Sequence, residues 1–206
     1  MNIVAQTSRP YSIGVDTIAT LTTTNVTALK AAGYIFAVRY LGGLTVSEVY
    51  DILAGGMALM PVTYSRGGGW TPSAMLGVSD GNSTVASLHA LGLPKGITVW
   101  CDLEGMGGVA ADTIAYANAW AVAVKAAGYI PGAYIGAGIP LNSSEIYKLV
   151  VSAYWHSCSQ VPDVDTCGYM MIQLYPPNAI ICGVEVDIDV IESDHKNRLP
   201  IWAVSQ

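Results

Sequence analysis

Eight short apolar segments alternating with helical stretches predict an α/β fold, a (β/α)8 TIM-barrel-like domain spanning residues 1–206, with helices reduced or missing after the late strands. A local repeat supports this parsing. Lys30-Ala-Ala-Gly-Tyr-Ile35 recurs as Lys125-Ala-Ala-Gly-Tyr-Ile130, each time where a helix stops on glycine and a strand begins. The late connections carry Pro162, Pro176 and Pro177 and show no helical period, so the last helices are expected to be lost. Their loss explains how eight strands fit a chain shorter than the ~250 residues of an ordinary parallel barrel.

The first strand, Ile13–Asp16, ends in an acid, and a Thr-rich turn leads to a helix near 25–32, stopped by Gly33. Phe36–Leu41 is the second strand, and Thr45–Ala54 a helix with Thr45 as its cap. The third strand is Ala58–Ser65. The loop Arg66–Pro72, with three glycines and Trp70, is expected to form a flexible rim before a helix near 79–91. Ile97–Glu104 is the fourth strand and the centre of the reading: β-branched and aromatic residues, then two carboxylates. Alternation puts Trp100, Asp102 and Glu104 on one face and Val99, Cys101 and Leu103 on the other. The second half supplies a helix at Ala111–Ala127, a strand at Ile130–Gly136 and a helix at Ser143–Val151. Strands at Ser152–Ser157, Tyr169–Tyr175 and Val184–Ile191 complete the eight.

Hydrophobic residues make up 52% and charged residues 12%, the composition of a compact globular chain. A net charge of −6 offers no basic face for nucleic acid and no attraction to anionic lipid. Apolar runs are broken by Gly, Pro or charge before reaching membrane-spanning length, so no membrane insertion is expected. Met1–Ser12 is short and polar and shows no export leader; the chain is expected to be made in the cytoplasm and delivered by other means to any external target. Cys101 reads as a buried thiol. Cys158 and Cys167 could close a short loop, and His156 beside them raises a zinc site that no paired C-x-x-C spacing supports. Reduced structural thiols are the expectation.

Barrel chemistry gathers where strands end. The strand ends here offer Asp16, Arg39, Tyr64 or Ser65, Asp102 with Glu104, Tyr134, Tyr154 to His156, Gln173, and Asp187 with Asp189, with Trp70 on the rim. Carboxylates able to act as acid and base, among aromatics able to stack on pyranose faces, point to a sugar site. Neither G-x-G-x-x-G nor a P-loop is present, and no G-x-S-x-G elbow, so neither a nucleotide cofactor nor a serine hydrolase is indicated. Glu104, with its proton affinity raised by neighbouring acids, suits a general acid, while Asp102 could stay ionised and Asp16 and Asp187 would hold the sugar or tune Glu104. Arg39, Tyr64, Trp70, Tyr134, Tyr154, His156, Gln173 and Asp189 are the substrate-binding candidates. Three alternatives stand beside this: an acid pair that caps a helix or sits in solvent, Arg39 as a structural ion pair, and an oxygen-rich cluster holding magnesium or calcium.

Gly14-Val-Asp16, Ala32-Gly-Tyr-Ile-Phe-Ala-Val-Arg-Tyr40, Trp100-Cys-Asp-Leu-Glu104, Tyr116-Ala-Asn-Ala-Trp120, Ala127-Gly-Tyr-Ile-Pro-Gly-Ala-Tyr134, Tyr154-Trp-His156 and Val186-Asp187 resemble the glycoside-hydrolase-like domain-of-unknown-function family 1906. That family is related to the glycoside hydrolase family 25 lysozymes (muramidases). The resemblance runs from about Ser12 to Trp202. It implies Glu104 as catalytic acid, with Asp16, Asp102 and Asp187 as supporting carboxylates, acting on the β-1,4 bond after N-acetylmuramic acid in peptidoglycan. Asp189 offers a second match on the last strand. Arg39-Tyr40 and Tyr154-Trp-His156 look like the unknown-function family more than the lysozymes.

Two functions follow. One is a peptidoglycan-cleaving glycosidase, a phage lysin or virion-associated lysin working at the bacterial cell wall without cofactor. The other is a non-catalytic carbohydrate-binding or virion structural domain, with other virion proteins as partners. The cost of keeping several buried like charges favours the enzyme.

Overall fold

The computed structural model describes residues 1–206. Its strands are β1 (Ile3–Thr7), β2 (Ile13–Thr17), β3 (Phe36–Tyr40), β4 (Ala58–Val62), β5 (Thr98–Leu103), β6 (Ile130–Ile135), β7 (Ala153–His156), β8 (Met171–Gln173), β9 (Ala179–Ile181), β10 (Val184–Ile191) and β11 (Ile201–Ser205). The helices are α1 (Thr23–Ala31), α2 (Val46–Ala54), α3 (Ala74–Ala90), α4 (Ala110–Ala126) and α5 (Ser143–Tyr147). Thr22 caps α1 in a reciprocal capping box with Asn25, and Thr45 caps α2 through the Glu48 amide. After β7 no helix follows.

Eight strands close into a barrel in the order β4-β3-β2-β10-β8-β7-β6-β5, sealed where Val62 of β4 meets Trp100 of β5. They are the eight segments read from the sequence. Their senses are not all alike: β10 runs antiparallel to both β2 and β8. The reason lies in the connection. A parallel return needs a crossover of a dozen or more residues, usually a helix. Between Gln173 and Val184 the chain has only a loop and β9, then a two-residue turn at Cys182 and Gly183, both at positive φ, so β10 re-enters the barrel from the mouth.

The terminal strands were not anticipated, since Met1–Ser12 reads as polar. β1 pairs antiparallel with β11, and β11 joins β4 at Ala203–Leu59, below the single contact that seals β4 to β5. The Ile201 amide donates to the Thr98 hydroxyl of β5 at 2.9 Å. The terminal ribbon thus fills the seam where β4 and β5 part at the lower end of the barrel.

Strand alternation divides the apolar residues into two cores. Val15, Ala37, Leu59, Val99, Cys101 and Leu103 face outward onto Leu29, Ile52, Leu88, Trp120 and Val124 of the helices. Phe36, Val38, Met60, Trp100, Trp155, Met171 and Trp202 fill the barrel itself. α3 lies close on α4 because Gly77 and Gly81 carry no side chain: a Cβ at Gly77 would fall 2.2 Å from the Tyr116 carbonyl oxygen. All four cysteines are free thiols, and no helix is long and apolar enough to cross a membrane.

Candidate active site

The inward parity of each strand decides what reaches the barrel mouth. On β2 Val15 faces the helices, so Asp16 faces inward; on β5 Trp100 and Asp102 face inward, with Glu104 one step past the strand. β6 adds Tyr134, β7 Trp155, β8 Gln173, and β10 Asp187 and Asp189. Because β10 descends, Asp187 stands level with Asp16 and Asp189 one pair deeper, opposite Gly14. A cleft of about 470 Å³ opens here, lined in part by Asp16, Tyr40, Asn178, Glu185 and Asp187.

A hydrogen-bond chain links this wall. Tyr134 Oη donates to Gln173 Oε1 at 3.1 Å, and the Cys158 amide to the same oxygen at 2.8 Å. Gln173 Nε2 donates to Asp187 Oδ2 at 2.5 Å, while the Asn178 amide donates to Asp187 Oδ1 at 2.5 Å. With its oxygen occupied twice, the Gln173 amide is oriented with its nitrogen toward Asp187. Asp187 is thereby held as an acceptor at the cleft.

Below it, Trp155 Nε1 donates to Asp189 Oδ1 at 2.9 Å. Asp189 and Asp16, both inward-facing on neighbouring strands, disfavour each other's ionisation. Oδ2 of each is buried without a hydrogen-bond partner. Burial, then the charge of Asp16, pushes Asp189 well above the usual carboxylate range; burial and Asp187 push Asp16 up as well. Asp102 is 8% exposed, and burial, then Glu104 and Asp16, raise it to about 7. Near neutrality both its protonated and its ionised forms are therefore accessible. Glu104 is also raised, by burial and by Asp187, against a hydrogen bond from the Ala137 backbone.

Glu104 is placed by its backbone. Trp70 Nε1 donates to the Glu104 carbonyl at 2.8 Å, Gly105 N to Ala137 O at 2.7 Å, and Gly69 N to Gly105 O at 2.7 Å. Beside it, a Cβ on Gly136 would lie 2.5 Å from the Glu104 Cβ, so only glycine leaves the acid its room. The loop at 66–72 is therefore pinned to the catalytic-acid candidate rather than being a free rim. Arg66 lies 5.1 Å from the Trp70 ring centroid and Tyr116 meets the ring edge-on, so this indole serves as a brace.

Several sequence candidates lie elsewhere. Arg39 points outward, fully buried against α2, with Nε 2.5 Å from Glu48 Oε1 and Nη1 on the Thr17 carbonyl. The structural ion pair is the observed arrangement. Tyr154 also faces the helices and donates to the Ile146 carbonyl at 3.1 Å; His156 packs edge-on against Tyr169 on that same outer side. Tyr64 commits its hydroxyl to Ser87 at 3.0 Å but still lines a shallow depression beside Tyr40. Asp16, Asp102, Glu104, Tyr134, Gln173 and Asp187 do come together, with Asp189 beneath them. Two members of the site escaped the sequence reading, Tyr40 and Asn178, and Trp155 was read only within the Tyr154 to His156 strand end, without a role of its own. Continuing the parity of Phe36 and Val38 by two residues finds Tyr40, and Ala153 likewise finds Trp155. No three acidic, histidine or cysteine side chains converge closely enough to hold a metal ion.

A closed eight-stranded barrel with carboxyls and tyrosines at its mouth defines a glycoside hydrolase-like domain. Residues 27–164, more than half of the chain, match the model of the Rv2525c-like, glycoside hydrolase-like domain, and the chain belongs to that family. The match contains Asp102 and Glu104 and leaves Asp16 and Asp187 outside. No curated protein is significantly similar in sequence. Among solved structures, an uncharacterized B. stearothermophilus protein aligns with TM-score 0.70 and 20% identity over 88% of this chain and 96% of that one. A family 25 glycosyl hydrolase from Bacillus anthracis gives 0.62 and 12% over 90% and 91%. The catalytic domain of endolysin ply40 from bacteriophage P40 of Listeria monocytogenes gives 0.61 and 15% over 90% and 95%. At these identities the likeness is one of fold alone.

Proposed function

We propose that the chain is a peptidoglycan-cleaving glycoside hydrolase of the muramidase type, with Glu104 as general acid. The observation that carries this reading is the gathering of inward-facing Asp16, Asp102 and Asp187, with Glu104 one step past β5, at one end of the barrel beside an open cleft that Asp16 and Asp187 line; there burial and the charge of Asp187 raise the proton affinity of Glu104. Glu104, about half-buried, protonates the leaving glycosidic oxygen. Asp102, in its ionised form, faces the developing oxocarbenium charge or orients a substrate group that assists. Asp187, fixed by Gln173 and Asn178, takes a sugar hydroxyl and keeps Glu104 protonated; Asp16 supports both from the opposite strand. Tyr40 and Tyr134 supply aromatic walls. The substrate is a wall polysaccharide, no cofactor takes part, and the likeness to a phage endolysin supports a lysin released by, or carried on, a phage.

Digestion of purified peptidoglycan followed by mass spectrometry of the soluble products tests this. Wild type is expected to release muropeptides with reducing muramic acid ends, and Glu104→Gln to lose at least about 10³-fold of that activity with its fold intact. Binding of wall without release by either folded protein would overturn the enzyme and leave a carbohydrate-binding or virion domain.

A further inference from the structure

A second cleft, of about 270 Å³, lies at the opposite end of the barrel, between the terminal ribbon, the end of α1 and the turn into β4. Its walls include Arg9, Lys30 and Trp202 around an apolar floor of Ile35, Leu53 and Met57. Its charge runs against that of the chain. Net charge is −6, yet no acidic residue lines this cleft and two cations do. The other three arginines are all spent: Arg39 on Glu48, Arg66 on Asp80, Arg198 on Asp194. Arg9 and Lys30 make no ion pair. Lys30 passes over the Gly56 turn, its Cε 3.8 Å from where a Cβ on that glycine would sit. Trp202, 4% exposed and tilted against Phe36 with ring centroids 5.9 Å apart, keeps its indole N–H buried without an acceptor. A buried donor of this kind ordinarily has a partner.

We propose that this cleft binds a small organic anion, an apolar body carrying one carboxylate or phosphate group. The chemistry follows from the lining. A guanidinium fork and an ammonium at the rim match an oxyanion, while the aliphatic and indole surface beneath rewards an apolar body that inorganic anions lack. The volume of about 270 Å³ suits a small molecule. The site lies across the barrel from the carboxyl mouth and is independent of the reaction proposed there.

The test is titration of the ¹⁵N-labelled full chain with benzoate, phenyl phosphate and inorganic phosphate at constant ionic strength, following the tryptophan indole N–H signals. Trp202→Phe assigns the resonance. Benzoate or phenyl phosphate is expected to shift the Trp202 signal saturably, at least tenfold more tightly than inorganic phosphate. The exposed double variant Arg9→Ala/Lys30→Ala is expected to weaken that binding at least tenfold while leaving the other indole signals in place. Absence of a saturable shift with both organic anions overturns the proposal. So does inorganic phosphate binding as tightly as phenyl phosphate, or binding unchanged in the double variant.

Discussion

Two sets of buried charges lie on opposite faces of one barrel wall and are treated in opposite ways. Outside, Arg39 and Glu48 carry unlike charges and saturate each other: Arg39 Nη2 adds a 3.3 Å bond to Glu48 Oε2, and the Leu21 amide donates to Glu48 Oε1 at 2.8 Å. Inside, Asp16, Asp102 and Asp189 repel one another when ionised, and each leaves a buried oxygen without a hydrogen-bond partner. The first arrangement ties β3 to α2 and to the loop before α1. The second repels itself and returns no packing. Buried charge that satisfies its hydrogen bonds reads as architecture; buried charge that does not reads as a site.

The comparison can be broken from either side. The largest effect is expected outside. Arg39→Met leaves Glu48 buried and unpaired and should cost about 3–5 kcal/mol by urea denaturation. Adding Glu48→Leu removes the stranded charge, so the double variant should recover most of that loss. If the single variant is as stable as wild type, the pair is not the tie described.

Inside, the effect has the opposite sign. Asp102 has a folded-state value of about 7 against an ordinary 3.8, so the folded protein holds its proton more tightly than the unfolded chain does. Stability is therefore fullest below pH 4 as far as this group is concerned, and is lost as pH rises to 7. Asp102 alone should lower stability by on the order of 3–4 kcal/mol between those limits. Asp16 and Asp189 add to the same trend. Denaturation midpoints taken between pH 5 and 8 should fall as pH rises; a flat profile would contradict the shift. The smallest effect concerns the brace. Trp70→Phe deletes one hydrogen bond to the Glu104 carbonyl, about 1 kcal/mol of stability, and should lower kcat more than it raises KM because it moves the acid and not the sugar wall.

The strands were legible because their apolar runs are bounded by Gly, Pro and acids, and Thr45 announced its helix through capping chemistry. The terminal ribbon was not, since β1 is only half-covered and draws its partner from the other end of the chain. Nor was the reversal of β10, which is set by the Cys182–Gly183 turn. At the mouth, taking the last residue of each strand misplaced Arg39, Tyr154 and His156 by one step. In a strand, position along the axis says which end a residue reaches, and parity says which face. Where parity was used, for Asp102 and Glu104, the residues fall as expected; where it was not, Tyr40 was missed and Tyr154 and His156 were preferred to Trp155.

The most direct test of the contrast is the urea midpoint of Asp102→Asn against wild type at pH 8. If the carboxyl is kept for chemistry at the expense of folding, the variant unfolds at a higher urea concentration than wild type. A lower midpoint for the variant would make Asp102 a structural residue and contradict the account.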